Sequence, residues 1–363
     1  MDKVGIITTS HAINYGAVLQ AYSLKIAVEE VTGKKTEIIN YCGDEWISGR
    51  KIYRKDFNLK NAVINIVSFF RFRYRKKREE LFFKFDIFKK EFLLTSGELL
   101  TTTEELTTLD SYDTLICGSD QLWNLNLFND ENYFLTFAKS GVEKVAYSVS
   151  ISEGMSNDQM NTIAERARDF KAISVREEDD AERLSKVMGR TIYNIVDPVF
   201  LHSAVEWNQL LSIDNSASED YLFVFLISHA DCDQKYIDRV KGESRVVVLN
   251  LHPIDYVKGD EMLRCCSPNE FVKLISSAKA VVTDSFHCTA FSIIFHKQFY
   301  NIRRSSRNNR IENLYRKFGI DSRFITDNDI PHNTIDYFDV DAAIQHESLK
   351  GKKYIKDSIG DRE

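Results

Sequence analysis

Residues 281–295 read VVTDSFHCTAFSIIF. The opening is apolar and β-branched, as a buried strand requires, and CTAFSIIF is apolar enough for a buried helix. Between them stand three polar residues, Asp284, Ser285 and His287. A strand that ends in polar groups at a helix start is the repeating unit of a parallel α/β sheet.

The same grammar recurs along the chain. VGIITT (4–9) leads through SHAINYGA into AVLQAYSLKIAVEEV, which has helical spacing. TEIINY, DTLICGSD, KVAYSVS, AISVRE and TIYNIVDP are further apolar runs with polar ends. SNDQMNTIAERARDFKA and EDDAERLSKVMGR fit as intervening helices. LLSIDNSASED (210–220) is polar and turn-rich, and the alternation restarts after it with YLFVFLI, RVVVLNL, AVVTDS and QFYNIR. SPNEFVKLISSAK opens on Ser-Pro with Glu270 in its first turn, a helix-start pattern.

The expected fold is α/β: two Rossmann-like, doubly wound domains facing across a cleft. Residues 1–205 form the first, with a basic and aromatic insertion at 45–100. Residues 218–330 form the second, and 331–363 a helical tail that packs back on the first domain.

The chain has 363 residues, 43% hydrophobic and 28% charged, with a net charge of −6. The length suits two domains, and the charge gives no general drive toward nucleic acid. No stretch approaches a membrane span, and the start does not read as a signal peptide. The six cysteines are scattered, with Cys265 and Cys266 adjacent. This pattern fits reduced thiols in the cytoplasm. Residues 64–92 interleave bases with aromatics, with Phe82, Phe85, Phe88 and Phe92 near helical spacing. This reads as packing against the first domain, or as peripheral contact with the inner face of a membrane.

Ligands of doubly wound sheets bind beyond the carboxyl ends of strands, so the strand ends are the candidate sites. After the first strand, Asn14, Tyr15, Gly16 and Gln20 offer backbone N–H and amide groups to a sugar, or else make a capped turn. In ICGSDQLWN (116–124), Ser119, Asp120, Gln121, Trp123 and Asn124 crowd one loop with sugar-binding chemistry. The alternative is an N-capped helix with a packed Trp123. Arg176 ends SVR and can grip phosphate or carboxylate, or pair with the acids that follow it. His287, beside Asp284 and Ser285, is a candidate acid or base, or a hydrogen-bonded core histidine. Arg303, Arg304, Arg307 and Arg310 cluster at a helix start and attract an anion, or form a solvated turn.

Together, NYGAVLQAY (14–22), YDTLICGSDQLWN (112–124), KVAYSVS, ISVRE, VDPVF, SPNEFVKLISSAKAVVTDSFH (267–287) and NNRIENLYRKFGIDSRFI (308–325) resemble the polysaccharide pyruvyl transferase family. The matches run in order through most of the chain, while 45–100 and 331–363 add little. Cys288 stands where the family usually has glycine. Ser285 or Phe286 stands where some members carry a phosphate-binding arginine.

The resemblance implies a fold like the B-type glycosyltransferases. It implies phosphoenolpyruvate as donor, a sugar of a cell-surface polysaccharide precursor as acceptor, lipid-linked or nucleotide-linked, and a pyruvate ketal as product. No cofactor or metal is expected. His287 and Asp120 are then the catalytic candidates. Arg176, Ser285, Arg303, Arg304 and Arg307 are placed on the donor side, and Asn14, Tyr15, Gly16, Gln20, Ser119, Gln121 and Trp123 on the acceptor side. The alternatives are a sugar-nucleotide-dependent glycosyltransferase of the same architecture and a non-catalytic glycan-binding member.

Overall fold

The computed structural model describes residues 3–43, 72–93, 96–109, 112–127, 129–214, 219–230, 232–304 and 308–360. Arg307 and residues 45–71, 94 and 95 of the insertion lie outside them.

The first part of the chain runs β1 (Lys3–Ile7), α1 (Tyr15–Thr32), β2 (Lys35–Tyr41), α2 (Phe72–Phe88), β3 (Ser96–Leu100), α3 (Thr103–Thr107), β4 (Thr114–Cys117), β5 (Glu143–Val149), α4 (Asn157–Arg166), β6 (Ala172–Val175), α5 (Glu178–Met188) and β7 (Tyr193–Asn194). The second part runs α6 (Ala204–Leu211), β8 (Tyr221–Phe225), α7 (Asp233–Val240), β9 (Arg245–Leu249), β10 (Glu261–Leu263), α8 (Pro268–Ser277), β11 (Ala280–Thr283), α9 (Phe286–Ile294), β12 (Gln298–Ile302), α10 (Asn308–Phe318), β13 (Phe324–Ile325) and α11 (Tyr337–Ile359).

All strand pairings are parallel. One sheet has the order β3-β2-β1-β4-β5-β6-β7 and the other β10-β9-β8-β11-β12-β13. Both contain the doubly wound order 3-2-1-4-5-6, the first with one strand added. The chain reverses its winding between β1 and β4 in one sheet and between β8 and β11 in the other. At each reversal the connecting loops part and leave a crevice at the strand ends.

The chemistry of the elements explains their placement. β4 and β8 are buried at every residue and, Thr114 apart, built of apolar and aromatic side chains, as strands covered by helices on both faces must be. The Asn14 side chain caps α1, and Gly33 ends it in the left-handed conformation with φ 67°. Ser267 and Glu270 form a capping box with Pro268 at the first helical position of α8, which is the Ser-Pro start read from the sequence. In the first sheet's core, Trp123 stacks on Phe134 at 5.0 Å and meets Phe170 edge-on at 5.6 Å.

The chain divides into two compact units, 1–47 with 89–202 and 344–363, and 48–88 with 203–343. Two details differ from the sequence reading. First, α2 belongs to the second unit rather than the first. Phe85 and Phe88 are buried, and Lys84 bridges Glu270 at 2.7 Å. Second, part of the stretch read as linker is α6. Its Ser203–Glu206 capping box fixes the start, and Trp207 packs on Phe291 at 5.0 Å. The tail is divided: from Ile344 onward it belongs to the first unit. No helix among the described residues is long and apolar enough to cross a membrane.

Candidate functional site

The reversal point of the first sheet gathers several of the predicted residues. Gly118 N–H donates to the Ile7 carbonyl at 2.9 Å, so the chain leaves β4 alongside β1. A Cβ at Gly118 would lie 3.1 Å from Thr8 Cβ, which accounts for glycine at this exit. Thr8 Oγ1 donates to the Ser119 carbonyl at 3.1 Å, and Thr9 Oγ1 to Asp120 Oδ2 at 3.3 Å. Gln20, from α1, donates to Thr8 Oγ1 at 2.9 Å.

Asp120 has φ 85°, a left-handed conformation that a residue with a Cβ adopts at a cost of about 1–3 kcal/mol. Surrounding bonds hold it there. Ser150 N–H donates to its carbonyl at 2.9 Å, and Gln121 N–H to its Oδ1 at 2.9 Å. Gln20 Oε1 and Gln121 Nε2 are buried and have no hydrogen-bond partner among the described residues.

Arg176 follows β6 in the same region, but it is not an open cation. Its Nη2 lies 2.6 Å from Asp197 Oδ2, and the Asp197 side chain is fully buried. The same nitrogen donates to Ser119 Oγ at 2.5 Å, and Ser119 donates onward to the Ser148 carbonyl at 2.9 Å. The anion-clamp reading of Arg176 is therefore replaced by a buried ion pair. Asp197 is the partner that the sequence reading missed. It stands in VDPVF, where its capping of Val199 N–H was the available signal.

Trp123 is corrected too. It is fully buried, and its Nε1 donates to the Tyr133 carbonyl at 3.2 Å, so the indole has no face for a sugar. Asn14 acts as the helix cap, while Tyr15 and Gly16 are buried in the first turn of α1. Asn124 accepts from Asn126 N–H at 3.1 Å, which stabilises its own loop.

The reversal point of the second sheet opens into a cavity of about 460 Å³. Its lining includes Ser228, His229, Asp284, Phe286, Arg303, Arg304 and Arg310. Asp284 pins the loop after β8, accepting from Ile227 N–H at 2.7 Å and Ser228 N–H at 2.9 Å. Arg304 crosses beneath. It donates to Asp284 at 2.9 Å, to both Asp233 oxygens at 2.7 and 3.0 Å, and to the Ser228 carbonyl at 2.8 Å. Burial disfavours its charge, but the hydrogen bonds of Asp233 and the charge of Asp284 outweigh that and raise its pKa. Two carboxylates thus occupy Arg304, which makes it a strut of the cavity and corrects its reading as a donor ligand.

Arg303 is different. It pairs with Glu312 at 2.8 Å, and both side chains are substantially exposed. Such a pair contributes about 0–1 kcal/mol, so an anion can displace it. Its guanidinium lies 4.3 Å from the Phe324 ring centroid, and that of Arg310 lies 5.9 Å from Phe286. Phe286 and Asn308 are the first residues of α9 and α10, so two helix N-termini meet the cavity.

Ser285 caps α9 through Cys288 N–H at 3.3 Å, which corrects its placement as a donor ligand. His287 is buried in the first turn of α9, edge-on to Phe286 at 5.1 Å. It is one residue from the cavity lining rather than in it. Burial pushes the Cys288 thiol up to about 12, so it fills space as an inert group.

The sequence reading also missed His229. This imidazole stacks on Tyr256 at 4.3 Å, and burial lowers its pKa. Its Nδ1 has no hydrogen-bond partner among the described residues.

Comparison with known proteins accords with this architecture. A sequence model of the family "Polysaccharide pyruvyl transferase" matches residues 14–306. The UDP-GlcNAc 2-epimerase from Methanocaldococcus jannaschii is similar over 95% of this chain and 92% of its own, at 10% identity and a TM-score of 0.50. The S. aureus MnaA–UDP co-structure is similar over 99% and 93%, at 11% identity and 0.49. The E. coli heptosyltransferase WaaC with ADP is similar over 95% and 99%, at 14% identity and 0.42. At these identities the likeness is one of fold alone, and it is carried by the Methanocaldococcus jannaschii structure: two parallel-sheet α/β domains. No curated protein matches the sequence. The family match begins at the cap of α1 and ends beyond β12, taking in Asp120, Asp284 and Arg303, and the chain belongs to the polysaccharide pyruvyl transferase family, transferases of polysaccharide biosynthesis.

Proposed function

We propose that the protein transfers the enolpyruvyl group of phosphoenolpyruvate to a sugar and closes it into a ketal. The observation that carries this reading is the cavity of about 460 Å³ at the β8–β11 reversal, where Arg303, Arg310 and two helix N-termini converge. Phosphoenolpyruvate presents a phosphate and a carboxylate a short distance apart. Guanidinium groups match both geometries.

In the proposed reaction the methylene carbon of the donor is protonated, and His287, which adjoins the lining residue Phe286, is the proposed source of that proton. The carbon bearing phosphate becomes oxocarbenium-like, and one sugar hydroxyl attacks it. The C–O bond to phosphate then breaks, with Arg303 and Arg310 taking the developing charge. A second hydroxyl closes the ketal. Of the two protons lost by the hydroxyls, one replaces the proton given to carbon and the other leaves on the phosphate, which is released as inorganic phosphate.

Phosphate release from phosphoenolpyruvate in the presence of candidate acceptors tests the reading. Mass spectrometry of the acceptor should show a gain of pyruvate less water. His287→Ala should lower kcat by about 10²–10⁴-fold. Arg303→Ala with Arg310→Ala should raise KM for phosphoenolpyruvate. Turnover of UDP-sugars with phosphoenolpyruvate untouched would overturn the proposal.

A further inference from the structure

A second cavity lies in the first unit, at the opposite edge of its sheet. It has a volume of about 590 Å³ and is bordered by the starts of β6 and β7 and the last turns of α11. Nothing in the strand-end chemistry above uses it. Four cations line it, Lys171, Arg190, Lys350 and Lys353, against one carboxylate, Asp357.

The partners of these cations are weak or replaceable. Lys171 bridges Glu143 at 2.6 Å, with side-chain exposures of 25% and 42%. Lys353 bridges Asp357 at 2.9 Å, with exposures of 76% and 56%. Lys350 is 3.7 Å from Glu347. Arg190 donates to the Phe170 carbonyl at 2.7 Å, which fixes one nitrogen and orients the fork. Exposed ion pairs contribute about 0–1 kcal/mol each, so a polyanion outcompetes them.

The cavity also has an aromatic wall. Tyr354 is buried and donates to the Ala146 carbonyl at 2.9 Å, which anchors its ring. Tyr193 meets it at 5.3 Å and is 46% exposed, leaving a ring face open. Ile195 adds apolar surface. A volume within about 300–1,000 Å³, an apolar floor and a few placed charges are the marks of a small-molecule site.

We infer that this cavity binds a nucleoside-diphosphate-type ligand, its phosphates on the Lys171, Arg190, Lys350 and Lys353 cluster and its base on Tyr193. A lone phosphate leaves the aromatic wall unused, and an uncharged ring leaves the cations unused. A ligand carrying both uses the whole cavity. The inference stands apart from the donor reading, because its residues belong to the first unit and the donor cavity to the second.

Calorimetric titration of the full chain with ADP, UDP and inorganic pyrophosphate tests it. The nucleotides should bind saturably and more tightly than pyrophosphate, and high salt should weaken both. Lys350→Glu with Lys353→Glu should weaken nucleotide binding at least about tenfold. Tyr193→Ala should weaken ADP and UDP but leave pyrophosphate unchanged. All three side chains are exposed, so the variants should keep the parent's melting temperature. Arg303→Ala should leave nucleotide affinity unchanged, which separates this cavity from the donor cavity. Absence of saturable binding, or binding lost in Arg303→Ala and kept in the lysine variant, would overturn the site. Equal affinity for pyrophosphate and ADP would overturn the ligand class.

Discussion

Arg176 and Asp197 meet at 2.6 Å with both side chains almost wholly out of water. Desolvating two charges consumes much of what their attraction returns, so the intact pair adds little net stability. Removing one member strands the other, and that is where the energy lies. Arg176→Ala or Asp197→Ala should destabilise the protein by about 3–5 kcal/mol in urea unfolding. The joint replacement Arg176→Met with Asp197→Leu should be close to neutral. If the single variants unfold like the parent, the pair is not the buried contact described here. Loss of activity in Arg176→Ala alone would not identify a donor ligand, whereas activity in a stable double variant would dismiss one. The sequence drew attention to Arg176 and Ser119 because they end strands. It concealed Asp197 because the pairing spans 21 residues and depends on the fold. Trp123 was misread for the same reason: a loop indole and a core indole look alike until Phe134 and Phe170 are seen to flank it.

Helix α5 opens with Glu178, Asp179 and Asp180 in its first turn, where the helix dipole favours acids by about 0.3–1 kcal/mol. Asp180 is nonetheless pushed up to about 7. Burial is the largest cause, followed by the charge of Glu177. Arg183, 3.9 Å away, opposes them, while Asp179 and Glu153 add to the rise. At about 1.4 kcal/mol per pKa unit, the desolvation penalty exceeds the dipole's help.

The direction of the pH effect follows. An unfolded Asp releases its proton near 3.8, so between that pH and about 7 the folded chain holds a proton that the unfolded chain has lost. Stability should therefore fall as pH rises through this window, by no more than about 4 kcal/mol. Asp180→Asn should remove that part of the slope and raise the melting temperature at pH above the window. Parallel profiles for parent and variant would refute it. Central elements were legible because their apolar runs are long and buried. The edge strands β3, β10 and β13 were not, since two to five residues are too few to show a period.

The two units are not consecutive lengths of chain, and this shapes how the molecule comes apart. The first unit recruits residues 344–363 after the whole second sheet has been made. Within that stretch Tyr354, Ile355 and Ile359 are buried, Ser348 Oγ donates to the Leu201 carbonyl at 3.2 Å, and Tyr354 holds β5 through Ala146. Gly351 lets α11 come close: a Cβ there would lie 2.7 Å from Tyr147 Oη and 2.8 Å from Leu201 Cδ2. The sequence indicated a helical tail and a return to the first domain. The close approach was not readable, because a glycine inside a helix signals weakness unless its neighbour is known. Each large buried side chain is worth about 2–5 kcal/mol, and a domain's whole stability is about 5–15 kcal/mol. A chain ending before Ile344 should therefore lose the first unit while keeping the second, although the deletion adjoins the second in sequence. Hydrogen exchange reads this directly. Amides of β5, β6 and β7 should exchange rapidly in the shortened chain, and those of β8, β11 and β12 should stay protected. Protection lost first around β11 and β12 would mean that α11 serves the unit it follows, and the assignment of its last turns to the first sheet would fail.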